Sequence, residues 1–327
     1  MIGLFKQKSP GNIVFLLIFG LLVKLPLFLL PKKIVVTNND GILYQWLIKG
    51  LPPSNGFIAA LIAFTLLYVQ ALMVTYLVNE YRMLTRQNFL PGMAYMVLTS
   101  LLPEWSYLSA PLLCNTFIIW AFIKLFQLYN TPNLRTELFN IGLLTGIGSY
   151  IYFPSAGFVI CILLGIMILK PFRLNDALLF LFGCLTPYYF YGVYLFLNDG
   201  MNLKNFFPAI TLTVPFIKSS LWLAASIMFL VIPFLIGGFY IQVHLRKMLI
   251  QVRKNWSILL LYLLLAFFVP FINSSQSFST WILIVPAFAA FHACAYFYQP
   301  RQVISMLIFF LTVGFILFQQ YGSPALK

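Results

Sequence analysis

Residues 56–78 read GFIAALIAFTLLYVQALMVTYLV, a run without a single Asp, Glu, Lys or Arg. Coiled as an α-helix, it is about 35 Å long, enough to cross a hydrocarbon core about 30 Å thick. Its apolar residues fill every face instead of one stripe, which is the pattern of a membrane helix and not of a surface helix. Similar blocks recur along the chain. Eleven spans are expected, at roughly 13–31, 56–78, 89–103, 108–128, 138–153, 155–170, 177–197, 217–242, 256–272, 279–298 and 302–319. The third, fifth and sixth are short enough to read as tilted pairs or partial spans. Ten-residue segments of dyad alternation are absent, which argues against a β-barrel. The expected class is an all-α polytopic transmembrane bundle without a soluble domain on either side.

The composition agrees. Of 327 residues, 62% are hydrophobic and 8% charged, against about 25% charged in soluble domains. The net charge of +14 would suggest nucleic acid in a soluble protein. Here the basic residues stand at span ends, where they orient the chain and meet anionic head groups, so no nucleic-acid partner is expected. Lys6 and Lys8 precede an apolar run from Ile13 to Leu30. That run is longer than a signal-peptide core and no small-residue cleavage site follows it, so it reads as an uncleaved first span.

With the N-terminus in the cytoplasm, the cytoplasmic segments hold Lys6, Lys8, Arg82, Arg86, Arg135, Lys170, Arg173, Arg246, Lys247, Arg253, Lys254 and Arg301. The opposite side holds Lys32, Lys33, Lys49, Lys204, Lys218 and Lys327. This bias sets the N-terminus inside and the C-terminus outside, provided that the short third span crosses.

Cys114, Cys161, Cys184 and Cys294 all lie inside apolar blocks without metal spacing and read as buried thiols. Gly142 and Gly146 are spaced for close helix packing. Tyr188, Tyr189, Phe190, Tyr191 and Tyr194 form an aromatic run in the seventh span. It reads as bundle packing or an interface belt, or else as a wall for a lipid chain or sugar ring.

Six acidic residues are available. Glu80, Glu137 and Asp176 flank cytoplasmic loops beside Arg82, Arg135 and Arg173 and read as loop charges or ion pairs. Asp40, Glu104 and Asp199 fall on the external side. Asp40 ends a polar turn, Thr37-Asn38-Asn39-Asp40-Gly41, ahead of Ile42, Leu43, Trp46 and Leu47, which share one face of a short amphipathic helix suited to lie on the membrane. Asp40 is also a good helix N-cap, as are Asn38 and Asn39. Glu104 sits in a tight turn, Leu102-Pro103-Glu104-Trp105. Lys24 lies within the first span, where an ammonium is costly; it either snorkels to the surface or lines a polar cavity and meets an anion. Lys124 is expected to snorkel. His292 reads as a hydrogen-bonded bundle residue.

The layout of first span, acidic external loop (Asn38-Asn39-Asp40-Gly41), flat helix, second span and basic loop (Tyr81-Arg82, Arg86) resembles the N-terminal module of the GT-C glycosyltransferase superfamily. The likeness covers about residues 10–200, leaving 201–327 as further transmembrane helices. The whole chain is also similar to a Bacteroidetes inner-membrane protein family, from which no activity follows. The GT-C resemblance implies sugar transfer from a polyprenyl-phosphate donor in envelope glycan assembly, in the bacterial inner membrane. It implies Asp40 as the base and Glu104 as an accessory acid. Lys24, Lys32, Lys33 and Lys218 are the cations for the departing lipid phosphate. Here Asn38 and Asn39 stand where many members carry a second acid. No cofactor is expected; a divalent metal could assist, although one or two carboxylates make a poor site for it. A transporter, flippase or scaffold with envelope protein partners is the alternative.

Overall fold

The computed structural model describes residues 2–31, 40–50, 56–129, 134–198, 211–215, 220–273 and 277–321. Among them run fourteen α-helices: α1 Ile2–Phe5, α2 Gly11–Val23, α3 Leu25–Leu29, α4 Ile42–Lys49, α5 Gly56–Glu80, α6 Leu90–Leu98, α7 Ala110–Gln127, α8 Leu134–Ile151, α9 Phe158–Leu169, α10 Leu174–Leu197, α11 Leu221–His244, α12 Ile250–Phe268, α13 Val285–Tyr298 and α14 Gln302–Tyr321. Extended backbone among the described residues pairs only in two isolated bridges, Asp40 with Tyr152 and Leu212 with Ile272. The chain is an all-α bundle. Among the described residues, seven helical segments are long and apolar enough to cross a membrane: Gly56–Glu80, Ala110–Gln127, Leu174–Leu197, Leu221–Lys247, Ile250–Phe271, Phe278–Tyr298 and Gln302–Tyr321. Gly11–Val23 and Phe153–Leu169 are shorter apolar helices.

Every apolar block of the sequence contains a helix, but not all are full-length spans. The third block gives only α6, about 14 Å long. Pro91 lies in its first turn, where the missing N–H costs nothing. The helix stops where Thr99 and Ser100 turn their hydroxyls back onto the carbonyls of Tyr95 and Met96. All nine residues of α6 are buried, so it is a plug enclosed by its neighbours. The four-residue 3-10 turn Pro103–Ser106 carries the chain on toward α7.

Contacts sort the loops into two ends. At one end Phe89 N–H donates to Phe5 O, Tyr81 hydroxyl to Ile123 O, and Lys254 to Leu169 O. At the other Lys24 meets Ser106, Asp40 meets Tyr152, Ser226 donates to Leu101 O, and Gln320 to Ser100 O. Glycine makes the closest helix packing. A Cβ on Gly142 would stand 2.1 Å from Phe180 O, and one on Gly146 2.4 Å from Cys184 O, so α8 and α10 touch backbone to backbone, the packing role expected of this pair. The four cysteines are free and buried.

The bundle centre is not purely apolar. Gln70 of α5 donates to Leu112 O and Thr116 Oγ1, both at 2.7 Å. Tyr95 donates to Gln70, and Asn115 to Tyr95 at 3.0 Å. These buried hydrogen bonds tie α5, α6 and α7 to one another in one arrangement. His292 contacts Leu230 O at 2.8 Å, as its packing role requires. Lys124, in the last turn of α7, pairs with Glu137 in the first turn of α8 at 3.2 Å. The expected Glu80–Arg82 pair is not formed; the chain reverses at Arg82 with a φ of 48°.

Candidate functional site

Of the polar groups that sequence singled out, Asp40 lies where α4 meets the end of α8, while Lys24 and Glu104 contact or belong to the 99–109 segment. Asp40 is 8% exposed. It is not the N-cap of α4: Gly41 holds that position, without any side-chain cap. The capping role proposed for Asp40 from sequence is thereby replaced by another. Asp40 pairs as an antiparallel bridge with Tyr152, and the Gly41 N–H donates to Ile151 O at 2.8 Å. Gln45 folds its amide back onto the Asp40 carbonyl at 2.9 Å. The turn is therefore clamped to the end of α8 by backbone on one side and by α4 on the other. Asn38 and Asn39 lie outside the described residues.

Gly41 is required by proximity. A Cβ there would stand 1.9 Å from Tyr150 O and 2.7 Å from Ile151 O, and neither is a flexible side-chain end. Gly41→Ala is expected to detach the turn from α8. Hydrogen exchange at the Gly41 and Gln45 amides should accelerate while the rest of the bundle keeps its protection; unchanged exchange would contradict the clamp.

On α4, Tyr44 is fully buried while Trp46 and Leu47 stay exposed, so the helix has one face in the bundle and an apolar face outside. The Tyr44 hydroxyl donates to Leu108 O at 3.2 Å. Burial, and then the nearby Asp40 carboxylate, hold this phenol above its ordinary pKa, which keeps it a donor. Trp46 meets Tyr194 at 5.5 Å. Tyr191 stacks on Tyr194, and Tyr150 contacts Tyr191 and Tyr188. The aromatic run of α10 is thus continued by Tyr150 and Trp46 to the edge of the Asp40 turn, while Tyr189 and Phe190 point outward at 68% and 66% exposure.

Lys24 occupies the break between α2 and α3, capping one and opening the other. It is 2% exposed, so it does not reach water. Its Nζ donates to Ser106 Oγ at 2.9 Å, and Ser106 Oγ donates to Thr99 O at 3.2 Å. An ammonium has three donors, and among the described residues no carboxylate pairs with Lys24; the one ion pair there is Lys124–Glu137.

Glu104 is engaged differently from its expected role. Its Oε2 accepts from Ser277 Oγ at 2.8 Å and from the Phe278 N–H, while Trp105 Nε1 donates to Phe278 O at 2.8 Å. The Pro103–Ser106 turn is latched in this way to the start of the 3-10 helix Phe278–Ile284, and a carboxylate at a helix start is favoured by the helix dipole. Glu104→Ala is expected to cost about 1–3 kcal/mol, because it removes the hydrogen bonds of a carboxylate to Ser277 Oγ and the Phe278 N–H. A lowered unfolding midpoint in detergent checks this, and an unchanged midpoint would contradict it.

The 99–109 segment meets Tyr44 at Leu108 O and Lys24 at Ser106 Oγ, and it carries Glu104 in its turn. Lys32, Lys33, Lys218 and Asp199 lie outside the described residues. Among the described residues, no three His, Cys, Asp or Glu side chains converge. Sequence reasoning missed Tyr152, Ser106, Tyr44 and Ser277 as partners. The available signal was a polar residue inside or bordering an apolar block, which is weak without knowing which block faces which. No protein-family model, curated protein or solved structure matches the chain.

Proposed function

We propose that the chain is a bacterial inner-membrane glycosyltransferase of the GT-C kind, moving a sugar from a polyprenyl phosphate to a hydroxyl acceptor. The single observation that supports it most is Asp40: a carboxylate nine-tenths buried at one end of an apolar bundle, clamped in place yet not spent on capping α4. In this reading the eleven apolar blocks make eleven passes, with α6 and the Pro103–Ser106 turn together completing the third. The arginines, from Arg82 to Arg301, mark the cytoplasmic end, and the Asp40 end faces outward.

The chemistry is proton removal from the acceptor hydroxyl by Asp40 as that oxygen attacks the anomeric carbon. The bond from that carbon to the lipid phosphate breaks, and its electron pair leaves with the phosphate. Lys24, held by Ser106, supplies a buried positive charge for that leaving group. Glu104 positions the 99–109 segment.

The purified chain in liposomes, given a polyprenyl-phosphate hexose and a lipid acceptor, is expected to form a glycosylated product detectable by mass spectrometry. Absence of product with every hexose donor would count against transfer. The engagement of Glu104 by Ser277 and Phe278 favours a second reading, a non-enzymatic transporter, flippase or scaffold of the envelope. That reading is identified by unchanged function in Asp40→Asn together with co-purification of an envelope protein or movement of a lipid-linked substrate.

A further inference from the structure

The far end of the bundle carries a feature that sugar transfer leaves unused. An open cleft of about 450 Å³ is lined by Leu235, Ile236, Phe239 and Tyr240 of α11 and by Gln299, just past α13. Leu235 and Phe239 are four residues apart, on one helix face, at 61% and 66% exposure. Its polar end is built: the Tyr240 hydroxyl donates to Gln299 Oε1, and the Gln299 amide nitrogen has no partner among the described residues. His244 stacks on Tyr298 at 4.5 Å and contacts Tyr240 O through Nδ1.

Exposed cations follow both stretches of chain that build that polar end. The 3-10 turn after α11 exposes Arg246 and Lys247, and Arg301 stands exposed two residues beyond Gln299. The sequence contains no Asp or Glu after Asp199, so no acid from α11, α12, α13 or α14 offsets these cations. An apolar floor running into a polar end, with these exposed cations on the adjoining turns, matches an amphiphile with a negative head. Basic clusters beside membrane helices attract anionic lipids in this way.

We infer that this cleft is a binding site for an anionic glycerophospholipid. One acyl chain lies along Leu235, Ile236 and Phe239. The phosphate-bearing head group lies at Gln299 and Tyr240, within the field of Arg246, Lys247 and Arg301. The apolar floor distinguishes a lipid from free phosphate, which would gain nothing from Leu235 and Phe239. The site is remote from Asp40 and stands or falls independently of sugar transfer.

The test is native mass spectrometry of the purified full chain in detergent, titrated with dioleoyl-phosphatidylglycerol and, separately, dioleoyl-phosphatidylcholine. The wild type is expected to retain phosphatidylglycerol preferentially. The triple variant Arg246→Gln, Lys247→Gln, Arg301→Gln is expected to weaken that retention by about tenfold or more, and Phe239→Ala to weaken both lipids alike. All three cations are exposed, so the triple variant keeps its packing. Equal retention of the two lipids by the wild type would overturn the inference. So would unchanged phosphatidylglycerol binding in the triple variant, or displacement of the lipid by millimolar inorganic phosphate.

Discussion

Asp40→Asn is expected to lower sugar transfer by about 10²–10⁴-fold, the range typical of a lost general base, with unchanged amounts of folded protein. The amide has nearly the shape of the carboxylate, and the structural contacts of this turn are made largely by backbone. The bridge to Tyr152, the Gly41 N–H to Ile151 O and the Gln45 amide to Asp40 O all survive the exchange. The exchange removes the negative charge and with it the ability to take a proton. Parallel measurement of transfer rate and of detergent-solubilised folded protein separates the two effects. Full activity in the variant would remove Asp40 from the chemistry, whereas loss of folded protein would assign it to the architecture.

Lys24→Met is expected to leave the fold as stable as before, or more so, while lowering transfer by about 10²–10³-fold, as removal of one charge-stabilising donor does elsewhere. The side chain is buried and, among the described residues, its partner is a hydroxyl. A buried charge with so little compensation costs stability, and an apolar residue of similar length relieves that cost. Ser106 keeps its bond to Thr99 O, so nothing is stranded. A higher unfolding midpoint with lower transfer is the signature of a residue retained for function. Unchanged transfer would show that the ammonium does not serve the leaving phosphate.

Local pattern reached a good part of this fold. Blocks such as 56–78 declare helices because no other structure hides so much apolar surface and satisfies its own backbone. Gly142 and Gly146 declare a close packing face. What local pattern does not contain is distance along the chain. Asp40 meets Tyr152, Lys24 meets Ser106, and Glu104 meets Ser277, each across intervening helices. Length misled at the third block, because hydropathy continues through Thr99-Ser100-Leu101-Leu102 although the helix has already ended at Leu98. Capping misled at Asp40, because a glycine forced by the backbone of Tyr150 takes the cap position instead. For Glu104 the sequence showed an acid in a turn; only the fold brings the Phe278 N–H to it.

The measurement that tests the central claim most directly is side-resolved sugar transfer in proteoliposomes. Orientation is set by a membrane-impermeant thiol reagent acting on a single cysteine placed at Arg86, after replacement of the four buried native cysteines. Polyprenyl-phosphate hexose is then supplied with its sugar on one face only. Transfer confined to the Asp40 face, and abolished in Asp40→Asn, is the predicted result. Transfer from the Arg86 face, or no dependence on Asp40, would contradict the account.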